Sequence, residues 1–159
     1  MKHFKIVPLS KDFANKIREE RKDDFGHEVV ETIAKGFGPC RVSLKPFKPG
    51  VDKRLLLSHS PFEIDNAFNQ PGPIFISAKE IEPYSDVHNF PPEIKNAKKN
   101  FPLSLIGYNQ KQQIVFTQLV GDNDVEELIE NIFRERHDVV YLHVRNSEAC
   151  CFICKIERV

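Results

Sequence analysis

The amino-acid sequence predicts an α+β fold: a mostly antiparallel mixed sheet with two main helices and a short third. Short alternating or β-branched stretches recur along the whole chain. Eleven prolines punctuate them, a pattern that favours short strands joined by ordered loops over long helices. The two clear helical patterns lie toward the two ends, so no regular β-α-β alternation arises. With 159 residues, the chain is expected to be one domain, 1–159, able to build a core without disulfides or a structural metal.

Lys2–Val7 opens the chain as a strand, with Phe4 and Ile6 on one face. Ser10 is the expected N-cap of a helix over Lys11–Arg21, whose Phe13 and Ile17 fall on its inner side. Val29–Ala34 is short and β-branched and reads as a strand. Gly36-Phe37-Gly38-Pro39 forms a turn, and Arg41–Leu44 begins another extended piece. Arg54–His59, with Leu55-Leu56-Leu57, is a buried strand. Gly72-Pro73 breaks the chain before a strand over Ile74–Ser77. Pro91-Pro92 starts a short helix over Glu93–Lys99. Leu103–Tyr108 and Gln113–Leu119 flank Asn109-Gln110-Lys111 as an antiparallel hairpin.

The strongest helical signal runs from a cap at Asp122 or Asn123 to about Arg136. Val125, Leu128, Ile129, Ile132 and Phe133 make one apolar stripe. Acids in its first turn and arginines in its last complement the helix dipole. Val139–Arg145 and Cys151–Arg158 close the chain as two strands joined by Asn146–Cys150.

Lys plus Arg and Asp plus Glu both number 23. That balance lacks the basic excess a general nucleic-acid binder needs. Lys95, Lys98 and Lys99, and the mixed-charge stretch Arg18–Lys22, read as solvated faces. No apolar run is long enough to span a membrane. The first residues, Met1-Lys2-His3-Phe4-Lys5, lack the apolar core of a secretory leader. The expected location is therefore cytoplasmic, with Cys40, Cys150, Cys151 and Cys154 reduced.

Three segments could carry chemistry. In Gly38-Pro39-Cys40-Arg41-Val42-Ser43-Leu44, an extended chain puts Arg41 and Ser43 on one face and Cys40, Val42 and Leu44 on the other. Either Arg41 and Ser43 simply face solvent, or Arg41 is a fork-shaped clamp for a carboxylate or phosphate beside Ser43. In Tyr141-Leu142-His143-Val144-Arg145-Asn146, Leu142 and Val144 point to the core. Tyr141, His143 and Arg145 then line the opposite face, as a plain polar surface with Asn146 starting a turn, or as the floor of an anion site in which His143 shuttles protons. In Cys150-Cys151-Phe152-Ile153-Cys154, the Cys-x-x-Cys spacing could serve zinc or a dithiol. Residues three apart on a strand point to opposite faces, so buried structural thiols are the expectation, with no metal and no cofactor.

Other signatures are missing. There is no glycine-rich phosphate loop, no nucleophile elbow, and no helix after the Gly36-x-Gly38 pair to make a dinucleotide fingerprint. A Cys–His nucleophile pair, Cys40 or Cys151 with His143, would have to form in space.

Phe37-Gly38-Pro39-Cys40-Arg41-Val42-Ser43-Leu44, Leu55-Leu56-Leu57 with Pro61-Phe62, Gly72-Pro73-Ile74-Phe75-Ile76, and Tyr141-Leu142-His143-Val144-Arg145-Asn146 with Cys151-Phe152 together resemble domain-of-unknown-function family 1203. The resemblance covers nearly the whole chain. It implies a compact bacterial domain of this length with no activity attached. It puts emphasis on Cys40, Arg41, Ser43, Gly72, Pro73, His143, Asn146 and Cys151. Two positions depart from the pattern: Cys150 stands where a Gly is expected, and His59 where an aromatic such as Tyr is expected. A Gly at 150 would allow positive φ, which Cys tolerates poorly.

Three functional readings follow. One is a site for a small polar or anionic molecule, with Arg41, Ser43, His143, Arg145 and Asn146 as ligand-binding candidates. His143, Cys151 and Cys40 are its candidates for chemistry, and whether it turns a substrate over is open. The second is a non-catalytic interaction or structural module. The third is a thiol or zinc site. The first requires Arg41, His143 and Cys151 to meet at one concave spot.

Overall fold

A computed structural model describes residues 1–159. The chain forms two antiparallel sheets and three helices. β1 (Phe4–Val7), α1 (Lys11–Glu20), β2 (Val30–Ile33), β3 (Lys53–His59) and β4 (Gly72–Ser77) come first. They are followed by α2 (Pro92–Lys95), β5 (Leu103–Tyr108), β6 (Ile114–Leu119), α3 (Val125–Glu135), β7 (Tyr141–Asn146) and β8 (Phe152–Arg158). The larger sheet has the order β1-β8-β7-β5-β6, and the smaller β2-β3-β4. Every ladder is antiparallel, so the fold is α+β with two sheets where one mixed sheet was expected.

α1 begins as the sequence suggests: Ser10 Oγ accepts from the Phe13 amide at 3.1 Å. Its Ala14 and Ile17 are buried with Leu55, Leu57, Ile74 and Ile76 of the smaller sheet. α3 starts one to two residues later than expected. Asp124, not Asp122 or Asn123, is the cap and accepts from the amides of Glu126 and Glu127. Val125, Ile129, Ile132 and Phe133 bury the apolar stripe, while Leu128 lies at its margin. α2 stops at Lys95, because one turn with a single buried apolar residue, Ile94, gains too little to propagate further.

The main core lies between α3 and one face of the larger sheet. Phe4 and Ile6 of β1, Leu103 and Leu105 of β5, Leu142 and Val144 of β7, and Ile156 of β8 all belong to it. Burying each such side chain contributes on the order of 1.5–3 kcal/mol.

Residues 40–45 correct the sequence reading. Arg41-Val42-Ser43 is a turn, not an extended strand. The Leu44 amide donates to Cys40 O at 2.9 Å, the Cys40 amide donates to Lys45 O at 3.0 Å, and Leu44 has φ +54°. The alternation therefore fails, and all five residues from Cys40 to Leu44 are buried. The turn is fixed from its N-terminal side by Gly38, at φ +93°, where any Cβ would collide with the Phe47 ring.

Candidate functional site

β7 carries the polar face. Alternation places Tyr141, His143 and Arg145 opposite Leu142 and Val144, as the sequence suggests, and pairing sets the neighbours. Tyr108 lies across from Tyr141, Ile106 from His143, and Ser104 from Arg145. The face is nevertheless not solvent-exposed: His143 is fully buried and Arg145 is 6% exposed.

The cover is the connection from β3 to β4. Phe62 packs its ring on Tyr108 at 5.4 Å and on His143 at 4.9 Å. Gln112, buried at the tip of the β5–β6 hairpin, accepts from the Glu63 and Ile64 amides and donates to Ile64 O and Asn69 Oδ1. One side-chain amide thus ties the cover down with four hydrogen bonds.

His143 sits in an aromatic cage. Phe62, Tyr108 and Phe152 each lie 4.9 Å from its ring, and Tyr141 lies at 5.2 Å. Neither ring nitrogen has a hydrogen-bond partner. Burial, with help from Arg145, Lys155 and His59, pushes its pKa down to about 2. A neutral imidazole walled off by rings does not shuttle protons near neutral pH, and this corrects the role expected for it. His59, tilted against the Phe13 ring at 5.0 Å and beside Phe152, is pushed down to about 4, mainly by burial.

Arg41 is buried at 1% exposure, so neither the solvent-facing nor the open-clamp picture of it holds. Its Nε donates to Phe152 O at 2.6 Å, one Nη donates to Pro39 O, and Nη2 reaches Cys151 Sγ at 3.2 Å. The guanidinium joins the 38–45 turn to the start of β8. Burial weighs against its charge, and the sulfurs of Cys151, Cys40 and Cys154 act in the opposite sense.

Arg145 donates to Cys150 O at 3.1 Å and to Gln70 O at 3.2 Å. The Tyr108 hydroxyl lies beside it, yet neither that hydroxyl nor Arg145 Nε has a partner. The ion pairs of the chain all involve other residues. Arg54, over the Phe75 ring at 3.7 Å, is buried too, so three buried guanidiniums stand without a carboxylate. An uncompensated buried charge is expensive, and carbonyls alone offset it only in part.

A cavity of about 360 Å³ opens between Gln70–Pro73 and the turn after β7, lined by Ser104, Ile106, Arg145, Asn146, Ser147, Ala149, Cys150 and Cys151 among others. Its volume lies within the range of small-molecule sites. Asn146 shapes its rim: Oδ1 accepts from the amides of Glu148 and Ala149 at 2.9 and 2.8 Å, the turn-starting role open to it.

The structure thus splits the expected constellation. Arg145, Asn146 and Cys151 share this cavity, with Arg41 directly behind Cys151. His143 stays behind the Phe152 ring. Cys40 and Ser43 line a different groove of about 650 Å³ with Lys45, Lys53 and Lys79, where Ser43 Oγ accepts from the Lys45 amide at 3.3 Å. The Cys-x-x-Cys thiols part as strand geometry requires: Cys154 enters the main core, where burial pushes it up to about 12, and Cys151 faces the cavity. No three His, Cys, Asp or Glu side chains lie close enough to share a metal ion. No helix is long and apolar enough to cross a membrane.

Sequence reasoning passed over Tyr108, Ser104, Gln70 and Gln112. Period-two alternation in Ser104-x-Ile106-x-Tyr108 carried the signal that these share a face, but not that β7 would pair beside them.

These features define an α+β chain of two antiparallel sheets, with a polar, aromatic and basic layer buried on the second face of the larger one. It belongs to the family described as Protein of unknown function (DUF1203), whose sequence profile matches residues 37–158. That span takes in Arg41, the β3–β4 cover, β7 and the cavity. No curated protein and no solved structure matches the chain.

Proposed function

We propose that the chain binds a small anionic molecule in the cavity beside Arg145. One observation carries the reading: three guanidiniums, of Arg41, Arg54 and Arg145, are buried without any carboxylate, and that of Arg145 lines the cavity. A ligand carboxylate or phosphate would supply the missing charge, with Ser104, Asn146 and Ser147 as polar neighbours. Arg41 adds positive potential from behind Cys151. Of the residues first considered, Arg145, Asn146 and Cys151 belong to this site, while Arg41 supports it from beneath. Ser43, Cys40 and His143 stand outside it. The reading takes the chain as one domain in a reducing, cytoplasmic setting. Its balanced charge argues against nucleic acid as a partner.

Thermal unfolding at low ionic strength with phosphate, sulfate and short di- and tricarboxylates tests this. A ligand at a hundred times its Kd adds about 2.7 kcal/mol, which raises Tm by roughly 5–10 °C for a chain of this length. The expected response is saturable, weakened in Arg145→Gln and lost in Ser104→Leu, which fills the space before the guanidinium without touching its hydrogen bonds. A Tm indifferent to every anion, or an equal response in both variants, overturns the reading.

A second reading rests on β2. All four of its residues are exposed at the edge of the smaller sheet, Val30 and Ile33 among them. An open edge of this kind can accept an added strand from a protein partner. Concentration-dependent association abolished by Thr32→Pro would favour it.

A further inference from the structure

We infer that Cys151 is a reactive thiol, and that it exchanges with small disulfides bearing a carboxylate. The recognition half of this inference rests on the anion reading above. The reactive half rests on the surroundings of the sulfur.

The four cysteines differ in what surrounds them. Cys40 and Cys154 are buried at 2% and 1% exposure. Cys150 is exposed, and its thiol has one polar contact, Glu148 O at 3.8 Å. Cys151 is partly exposed in the cavity wall, with a guanidinium N–H 3.2 Å from its sulfur. That donor is held in place. Nε of Arg41 is spent on Phe152 O and its other Nη on Pro39 O, so Nη2 is aimed at the sulfur by the backbone on both sides. The attacking species in disulfide exchange is the thiolate, and the Arg41 N–H is a donor already placed at the attacking sulfur.

A second, independent feature points to what the thiol meets. Arg145 lines the same cavity, is 6% exposed, and has the carbonyls of Cys150 and Gln70 but no carboxylate as partners. A disulfide with a carboxylate a few bonds from its sulfur would place the anion at Arg145 and the S–S bond near Cys151. The step then balances without an outside oxidant. The Cys151 proton leaves to solvent, its sulfur attacks one sulfur of R–S–S–R, and that S–S bond breaks. A Cys151–S–S–R bond forms, and R–S⁻ departs with the electron pair and is protonated by solvent. The disulfide is the oxidant, and a free thiol reverses the step.

The test uses the reduced full chain with two probes of similar length, dithiodipropionate, which ends in carboxylates, and cystamine, which ends in ammonium groups. Intact mass follows the rate, and peptide mapping finds the site. One adduct is expected, on Cys151, formed roughly 10-fold faster with the anionic probe, as electrostatic attraction supplies. The preference should fall toward parity in Arg145→Gln. Cys151→Ser should lose the adduct. Modification of Cys150 alone, or no adduct while phosphate still raises Tm, overturns the exchange and leaves the anion reading standing. Equal rates with both probes, together with a Tm unmoved by anions, overturn the recognition half.

Discussion

The two faces of the larger sheet solve the same problem with opposite materials. Under α3, Leu103, Leu105, Leu142, Val144 and Ile156 bury only carbon and one sulfur neighbour. On the far side, the alternate residues of the same strands bury Tyr108, His143 and Arg145, and leave a hydroxyl, two ring nitrogens and a guanidinium nitrogen without partners. An apolar face gains free energy from every atom removed from water. A polar face gains only where its groups find partners, and each orphan costs about 1–3 kcal/mol. The first face is therefore built for stability. The second holds groups whose cost is unexplained by packing, which is where a binding function is sought.

Adjacent residues of β7 test the contrast most strongly. Leu142→Ala should cost about 2–5 kcal/mol in urea unfolding, through lost transfer energy and a cavity in the main core. His143→Phe, one residue along, should cost nothing or stabilise slightly, since it keeps the aromatic cage and removes two orphan nitrogens. If both substitutions cost the same, the two faces do not differ in the way described.

Acid sharpens the comparison at a smaller scale. His143 and His59 are held near 2 and 4, below the ordinary value of 6.5. Below 6.5 the unfolded chain takes up protons that the folded chain refuses, so stability is full above that value and falls as pH drops toward 4. Arg145, Lys155 and His59 around His143 reinforce the effect, whereas Asp24 near His59 opposes it. Each histidine should remove about 2 kcal/mol between pH 6.5 and 5. His143→Phe should halve the slope of unfolding free energy against pH in that window. An unchanged slope would mean that the imidazole finds a partner in solution.

Much of the fold was legible in the sequence because local patterns carry it. The α3 stripe, the Ser10 cap and the alternation of β7 each reflect one element's own period. Residues 40–44 were misread for the converse reason. The backbone of that turn is held by distant segments, through Leu9 N–H to Arg41 O, Arg41 N–H to Phe75 O and Tyr84 N–H to Val42 O, and its key contact, Arg41 to Phe152 O, spans 111 positions. Alternation in β7 separated two faces correctly, but it had no means of showing that Phe62 and the β3–β4 connection would cover the polar one. Pairing of Arg41 with Cys151 was half of the anticipated convergence. His143 failed to join because Phe152, counted only as part of a strand, stands between them.

The turn beneath the cavity yields the smallest expected effect and the most specific. Cys150 has φ +65°, so the conformation that a Gly at this position would favour is kept, although the side chain opposes it. A β-carbon in the left-handed region costs roughly 1–2 kcal/mol, and Gly gives back some of that through its freer unfolded chain. Cys150→Gly should therefore raise stability by about 0.5–1 kcal/mol, read as a small upward shift of the urea midpoint at constant slope. The thiol at 150 is exposed and makes only a weak contact to Glu148 O, so little packing is lost. Adduct formation on Cys151 should be unchanged in the same variant, because Arg41 approaches that sulfur from the 38–45 turn and not from the 147–150 side. A variant that is less stable, or whose Cys151 no longer reacts, would show that Cys150 holds the cavity rim in a way its weak contacts do not convey.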